Sequence, residues 1–152
     1  MKPSFNKKYG GLKCRVCLVK EGESQPVKIN GPDDIYKLVK DELAKADREM
    51  LVSIMLTISN HVIGVETVSI GTLNSSHTSP REIFKSAILA NAFGIILCHN
   101  HPSGDLTPST HDCKLTEMLS EAGDLLGIKV IDHIIVSHQG FVSLQETGNL
   151  IT

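Results

Sequence analysis

The chain has 152 residues, of which 41% are hydrophobic and 21% are charged, a composition typical of one globular domain and not of a disordered protein. The formal net charge of −2 gives no general attraction to nucleic acid. The sequence contains no apolar run of about 18 residues that would span a membrane, and we expect a cytoplasmic protein with no membrane partner.

The first 30 residues are predicted to form a basic segment with one strand. Residues 1–20 carry several lysines and arginines and no acid. Residues 12–19 resemble a strand, which would place Cys14 and Cys17 on opposite faces. This C-x-x-C has no second pair to complete a structural zinc site. We therefore interpret both cysteines as ordinary residues and predict that residues 31–152 form the functional domain.

From residue 31 onwards, helices and strands are expected to mix. Gly31-Pro32-Asp33-Asp34 predicts a helix start, because Pro suits the first helical position and acids suit the positive end of the helix dipole. The apolar run at 50–58 predicts a strand buried on both faces, and a second strand is expected at 62–70. Ser79-Pro80-Arg81-Glu82 matches a capping box, which predicts a second helix ending at Gly94.

The second half of the chain continues this pattern. Residues 95–98 form a short apolar run that leads into His99. After a polar loop, we expect a third helix that is capped by Thr107 and ends at Gly127. Strands at 128–136 and 141–144 would complete the fold. The sequence thus predicts an α/β or α+β sandwich with a mixed central sheet.

The chemically informative segment begins where the predicted strand at 95–98 ends. His99 and His101 are separated by one residue, and in extended chain such residues point to the same side. Ser109 and Asp112 are three residues apart at the start of the next helix, so they share a face. Two histidines and one carboxylate leave a tetrahedral metal one open position, which is typical of a catalytic zinc site.

This arrangement resembles the JAMM motif, which is His-x-His, seven residues, Ser, two residues, Asp. The string His-Asn-His-Pro-Ser-Gly-Asp is similar to the bacterial RadC-type branch of that superfamily. The resemblance extends from about residue 31 to the end and includes Gly64-Val65-Glu66, Gly71-Thr72-Leu73, Pro80-Arg81-Glu82, Glu121-Ala122-Gly123 and Ile131-Asp132-His133.

The resemblance implies a cytidine-deaminase-like MPN (JAB) fold and a zinc-dependent hydrolase of peptide or isopeptide bonds. His99, His101 and Asp112 match the Zn²⁺ ligands of the family. Ser109 matches the residue that stabilises the oxyanion, and Glu66 matches the general base that activates water. Peptide or protein is the implied substrate.

Three other interpretations remain open. The RadC resemblance suggests a DNA-repair role, but the acidic balance and the missing N-terminal helix-hairpin-helix pattern argue against direct DNA binding, and we expect a stand-alone JAB form. Two histidines and a carboxylate also suit a non-haem Fe(II) site. A non-catalytic interaction module is the third. Among neighbouring residues, Cys98, Cys113 and His133 are expected in the core and His111 at the surface.

Overall fold

The computed structural model describes residues 16–19, 25, 27–71 and 78–150. Cys14 and the first part of the predicted strand at 12–19 lie outside the described residues. Val16 to Val19 are in neither a helix nor a strand, so the strand prediction is wrong for them. Val16 and Val19 are 71% and 79% exposed, and an apolar segment without a packed face gains little from strand formation.

Five strands and three helices make up the described domain. In chain order they are α1 (Pro32–Leu43), β1 (Met50–Leu56), β2 (Val62–Ile70), α2 (Pro80–Leu89), β3 (Gly94–Asn100), α3 (Thr110–Leu126), β4 (Lys129–Ser137) and β5 (Gly140–Ser143). The strands form one sheet in the order β2-β1-β3-β4-β5. Only the β3–β4 pair is parallel among these neighbours. The predicted mixed α/β sheet is therefore confirmed.

The sheet is covered on both faces. Leu51, Met55 and Leu97 pack in one apolar cluster with α2 and α3. Val52 and Ile54 pack in a second cluster with α1 on the opposite face. Because β1 is buried on both faces, its sequence is apolar except for the buried Ser53, which agrees with the predicted apolar run. Within the described residues, no helix has both the length and the apolar character to cross a membrane.

Residues of β3 alternate between these two faces. Cys98 belongs to the cluster under α1 and is fully buried, while its neighbour His99 points to the α2/α3 side. Burial and the nearby charge of Asp132 raise the pKa of the Cys98 thiol, so it stays protonated. Cys98 is thus the core residue that its sequence context predicts, and Cys113 is half-buried.

The second helix begins at Pro80 after Ser79, as predicted, but its capping bond and its end differ from the prediction. Ser79 makes no side-chain cap bond, and among the described residues its buried hydroxyl has no hydrogen-bond partner. The helix ends at Leu89 and not at Gly94, since Asn91 turns the chain with φ of 51°. Gly94 instead opens β3, where a side chain would approach the carbonyl oxygen of Lys129 to 2.9 Å.

The third helix starts two residues later than predicted. Its cap is Ser109, whose Oγ accepts a hydrogen bond from the Asp112 N–H at 3.1 Å. The Asp112 carboxylate accepts one from the Ser109 N–H at 2.7 Å. Thr107 does not cap, because the helix begins only at Thr110; the N–H of Thr107 donates to the carboxylate of Asp105. The end prediction is confirmed, since Gly127 is left-handed with φ of 69°.

Candidate metal centre

The candidate centre lies where β3 ends and α3 begins. His99 is the penultimate residue of β3, and Asp112 lies in the first turn of α3. His101 follows β3 directly, and its N–H donates to the Val136 carbonyl on the parallel neighbour β4 at 2.9 Å. The chain then turns at Gly104, whose φ of 89° favours glycine. These elements bring residues from a strand and a helix to one point.

The three predicted ligands converge as the spacing predicts. His99 Nε2 lies 2.9 Å from His101 Nε2. The carboxylate of Asp112 lies 3.3 Å from His99 Nε2 and 3.6 Å from His101 Nε2. His99 and Asp112 are buried, and the side chain of His101 is 14% exposed. Ligand atoms around a tetrahedral zinc ion lie about 3.3–3.5 Å apart, so these separations suit a metal of that size.

Hydrogen bonds behind the ligands define which ring nitrogens face the centre. His101 Nδ1 lies 2.6 Å from the carbonyl oxygen of Asp105. A carbonyl only accepts, so His101 Nδ1 carries the proton and donates it. The Nε2 lone pair of His101 is then directed at the centre, as a metal ligand requires.

His99 is held in the same manner by a residue that the JAMM motif does not contain. Its Nδ1 lies 2.7 Å from Nε2 of His133, a fully buried residue of β4. The other nitrogen of His133 lies 2.6 Å from the Thr116 hydroxyl. Burial lowers the pKa of His133 well below its usual value, so the ring is neutral. His133 is the satisfied core residue that was predicted, but its contact with His99 was not.

The donor set fits a divalent cation. Burial raises the pKa of Asp112, but the contact with His99 and the hydrogen bonds from Ser109 outweigh burial and hold this pKa well below its usual value. Asp112 is therefore a carboxylate at neutral pH. Three electron-pair donors lie within 4.8 Å of one another. Such crowding is unfavourable unless a cation or an added proton lies between them.

A cavity of about 540 Å³ opens onto these ligands, and two further acids, Glu49 and Asp105, line it. Among the described residues it is lined by Glu49, His101, Pro102, Ser103, Asp105, Thr107, Ser109, His111 and Asp112. Glu49 immediately precedes β1, whose Leu51 pairs with His99. Continuing that antiparallel register places Glu49 across from His101. Glu49 was not among the predicted site residues. Its position next to β1, the strand that pairs with β3 and its His-x-His motif, is a usable signal.

Asn100, the middle residue of the His-x-His motif, anchors the chain around Glu49. Its Oδ1 accepts from the Met50 N–H at 2.7 Å, and its Nδ2 donates to the Arg48 carbonyl at 3.0 Å. The Glu49 carbonyl accepts from the Gly71 N–H at 2.8 Å. Residues on both sides of Glu49 are thus bound to one buried side chain. This second missed residue explains how a distant acid is held at the cavity.

Glu66, predicted as the general base, lies in the middle of β2. It pairs with Ser53 of β1, which in turn pairs with Leu97 of β3. Its carboxylate accepts a short hydrogen bond from the Ser86 hydroxyl of α2, so it faces the same side of the sheet as His99. It is half-buried, and it is not among the residues that line the cavity. Its catalytic role stays a prediction.

Ser109 and His111 both line the cavity. The Ser109 hydroxyl oxygen accepts from the Asp112 N–H, and the Ser109 side chain also helps to lower the pKa of the Asp112 carboxyl group. His111 is exposed, as predicted. The segment from Thr72 to His77, which separates β2 from α2, lies outside the described residues.

Known proteins are similar to this chain over most of its length. The sequence profile of the RadC-like JAB domain matches residues 29–149. A UPF0758 protein of Desulfitobacterium hafniense is 49% identical over 122 residues, which are 80% of this chain and 54% of that protein. A UPF0758 protein of Caldanaerobacter subterraneus subsp. tengcongensis is 45% identical over 134 residues, covering 88% of this chain and 57% of the relative.

A third relative, a UPF0758 protein of Desulforamulus reducens, is 50% identical over 120 residues, which are 79% of this chain and 53% of that protein. The chain therefore spans about half the length of the curated relatives it matches. The profile match covers most of the chain and contains all three candidate ligands. The chain belongs to the RadC-like JAB domain family.

Proposed function

We propose that this domain is a zinc-dependent hydrolase of peptide or isopeptide bonds. The observation that carries the proposal is the convergence of His99, His101 and Asp112 at the wall of an open cavity, with the Nδ1 atom of each histidine in a hydrogen bond on the far side of its ring. Three protein ligands beside a cavity leave a coordination position for a reactant, which distinguishes catalytic from structural zinc sites. A zinc ion bound there would polarise a carbonyl group and make water more acidic.

Glu49 is the acid that the geometry favours as general base. It lines the cavity together with His101 and Asp112, whereas the carboxylate of Glu66 is bound to Ser86. A carboxylate at the cavity wall can take a proton from water and return it to the leaving amine. We therefore assign the proton transfer to Glu49 and assign Glu66 a supporting position between β2 and α2.

Ser109 is suited to stabilise the developing oxyanion. Its hydroxyl lies at the amino terminus of α3, where the helix dipole already favours negative charge. Its oxygen accepts from the helix N–H, and its proton, which also stabilises the Asp112 carboxylate, would turn to a substrate oxygen. Such a donor is typically worth about 3 kcal/mol in the transition state.

The charge of the cavity favours a peptide over a nucleic acid. Its described lining contains the carboxylates of Glu49, Asp105 and Asp112 and neither lysine nor arginine. Carboxylates repel a phosphodiester, whereas a peptide carbonyl and a leaving amine carry no such penalty. This observation argues for a peptide or protein substrate and against DNA as the reactant.

The test has two stages. Metal content of the purified protein is measured by mass spectrometry beside His101→Ala, with His111→Ala as a control that alters an exposed cavity histidine. About one zinc per chain in the wild type and in His111→Ala, but not in His101→Ala, supports the site. Iron in place of zinc would favour the Fe(II) alternative, and no metal after zinc is offered would favour an interaction module.

In the second stage the zinc-loaded protein is incubated with a defined library of peptides and lysine-linked isopeptides, and products are identified by mass spectrometry. We expect new termini that are absent with His101→Ala. A zinc-binding protein that cleaves none of these peptides would overturn the hydrolase proposal while leaving the metal site intact.

A further inference from the structure

We propose that His133 is a positioning residue of the candidate metal centre, which holds His99 in its ligating tautomer and couples it to the helix that carries Asp112. This inference rests on the proposed zinc site, but it concerns a residue outside the ligand set. His133 lies on β4, a strand that contributes no ligand among the described residues.

The direction of each hydrogen bond follows from the one atom that can only accept. The Asp112 carbonyl oxygen accepts from the Thr116 hydroxyl at 2.6 Å. A hydroxyl has a single proton, so at its second contact, 2.6 Å from His133 Nδ1, the Thr116 oxygen must accept. His133 therefore carries its proton on Nδ1.

The tautomer of His133 also determines the direction of its hydrogen bond with His99. A neutral histidine protonated on Nδ1 has a lone pair on Nε2, and His133 Nε2 lies 2.7 Å from His99 Nδ1. The proton in that contact must belong to His99 Nδ1. His99 is left with an unprotonated Nε2, the atom that lies 2.9 Å from His101 Nε2 and 3.3 Å from Asp112. A backbone carbonyl in α3 thus determines which nitrogen of His99 faces the centre.

The chain of bonds also joins the two elements that hold the ligands. It begins at the backbone of Asp112, passes through Thr116 and His133, and returns through His99 to the side chain of Asp112. His99, Thr116 and His133 are each fully buried. Water is excluded there, so no solvent molecule replaces a missing partner. The separation between β3 and α3 is consequently tied to the orientation of His99.

The test compares His133→Met with His133→Gln. Methionine fills similar volume but removes the acceptor for His99 Nδ1–H, whereas the glutamine amide oxygen retains one at a similar distance from the backbone. Zinc affinity is measured by competition with a chromophoric chelator. Loss of such an outer partner typically costs about 10–100-fold in metal affinity. We expect a loss of that size in His133→Met and recovery of most of it in His133→Gln.

A second pair of variants changes Thr116, the residue of α3 that accepts the hydrogen bond from His133. Thr116→Val leaves His133 without its acceptor, while Thr116→Ser keeps the hydroxyl. Ser120→Ala is the matched control, because Ser120 donates to the Thr116 carbonyl at 2.9 Å, one turn further along, without contacting His133. We expect zinc affinity to fall about tenfold or more in Thr116→Val only, and to stay within about twofold in the other two.

A direct readout separates positioning from general destabilisation. Proton–nitrogen correlation spectra of the zinc-loaded protein should show His99 protonated on Nδ1, with that proton protected from solvent exchange in the wild type and in Thr116→Ser but not in His133→Met. Equal zinc affinity in His133→Met and the wild type would overturn the inference while the metal site stands. Failure of the wild type to bind zinc would overturn the proposed site and this role together.

Discussion

The strand–loop–helix segment at 94–112 and the β1–β2 hairpin at 49–71 contribute to the centre in different ways. The first contains all three candidate ligands, and its geometry follows from local rules of strands and helix caps. The second contributes one acid, Glu49, from far along the chain, and its contribution depends on sheet register. The spacing of residues in the sequence thus predicts the candidate metal ligands. The acid beside them can be identified only when the pairing of the strands is known.

The two glutamates of the hairpin show this difference. Glu66 lies in mid-strand and binds Ser86 of α2. Glu49 lies just before β1, where the Asn100 side chain binds both adjacent residues, and it lines the cavity. Family resemblance directs attention to Glu66, and geometry directs it to Glu49. Variants that remove one contribution at a time test this difference between the two glutamates.

The largest expected effect comes from removing a ligand. His101→Ala should abolish the stabilisation that zinc gives to the folded protein, which for a single site is about 4 kcal/mol at a free zinc concentration of about 1,000 times Kd. Thermal unfolding with zinc and with a chelator measures this difference. The wild type should unfold at a lower temperature in chelator, and His101→Ala should unfold at the same temperature in both. A zinc-dependent shift retained in the variant would contradict the assigned ligand set.

The next effect separates the two acids. Glu49→Gln removes the carboxylate from the cavity and should lower the hydrolysis rate at saturating substrate by about 10²–10⁴-fold, the usual contribution of a general base. Glu66→Gln keeps a side chain that can bind Ser86 and should change that rate much less. Zinc content should stay near one per chain in both. A reversed order of the two rates would restore Glu66 as the base.

A smaller effect is expected from Asn100→Ala. The variant frees the backbone of Arg48 and Met50 and so loosens Glu49, and we expect a rate loss of roughly tenfold, since misplacement by about 1 Å can cost up to about 100-fold. The double variant with Glu49→Gln is the control. If Asn100 acts through Glu49, its removal should cost no further activity in the Glu49→Gln background. Additive losses would indicate a separate role for Asn100.

Much of this fold and site could be predicted because the relevant signals are local. The i, i+2 spacing of His99 and His101 in an extended chain and the i, i+3 spacing of Ser109 and Asp112 at a helix start both describe geometry within a few residues. The nearly continuous apolar run of β1 likewise indicates burial on both faces. These predictions need no knowledge of which strands pair.

The rest depends on contacts between distant segments. Asn100 binds residues about 50 positions away, and His133 reaches His99 only because β3 and β4 are parallel neighbours. Met118 and Leu126 of α3 have the helical spacing of a buried face, yet they are 41% and 48% exposed, because helical periodicity does not show where a neighbouring element ends. No single-sequence pattern specifies such pairings.

Two capping boxes of similar sequence offer the finest test of local prediction. Ser109 forms its box with Asp112, whereas Ser79 makes no cap bond with its side chain and has a buried hydroxyl. Ser109→Ala should lower the free energy of unfolding by about 1 kcal/mol, the typical worth of a cap. Ser79→Ala should be neutral or slightly stabilising, because it removes a buried hydroxyl that no described group satisfies. Urea unfolding of the zinc-free proteins measures both without a contribution from metal binding. A cost for Ser79→Ala equal to that for Ser109→Ala would show that the sequence pattern alone, without the hydrogen bond, is sufficient to stabilise a helix start here.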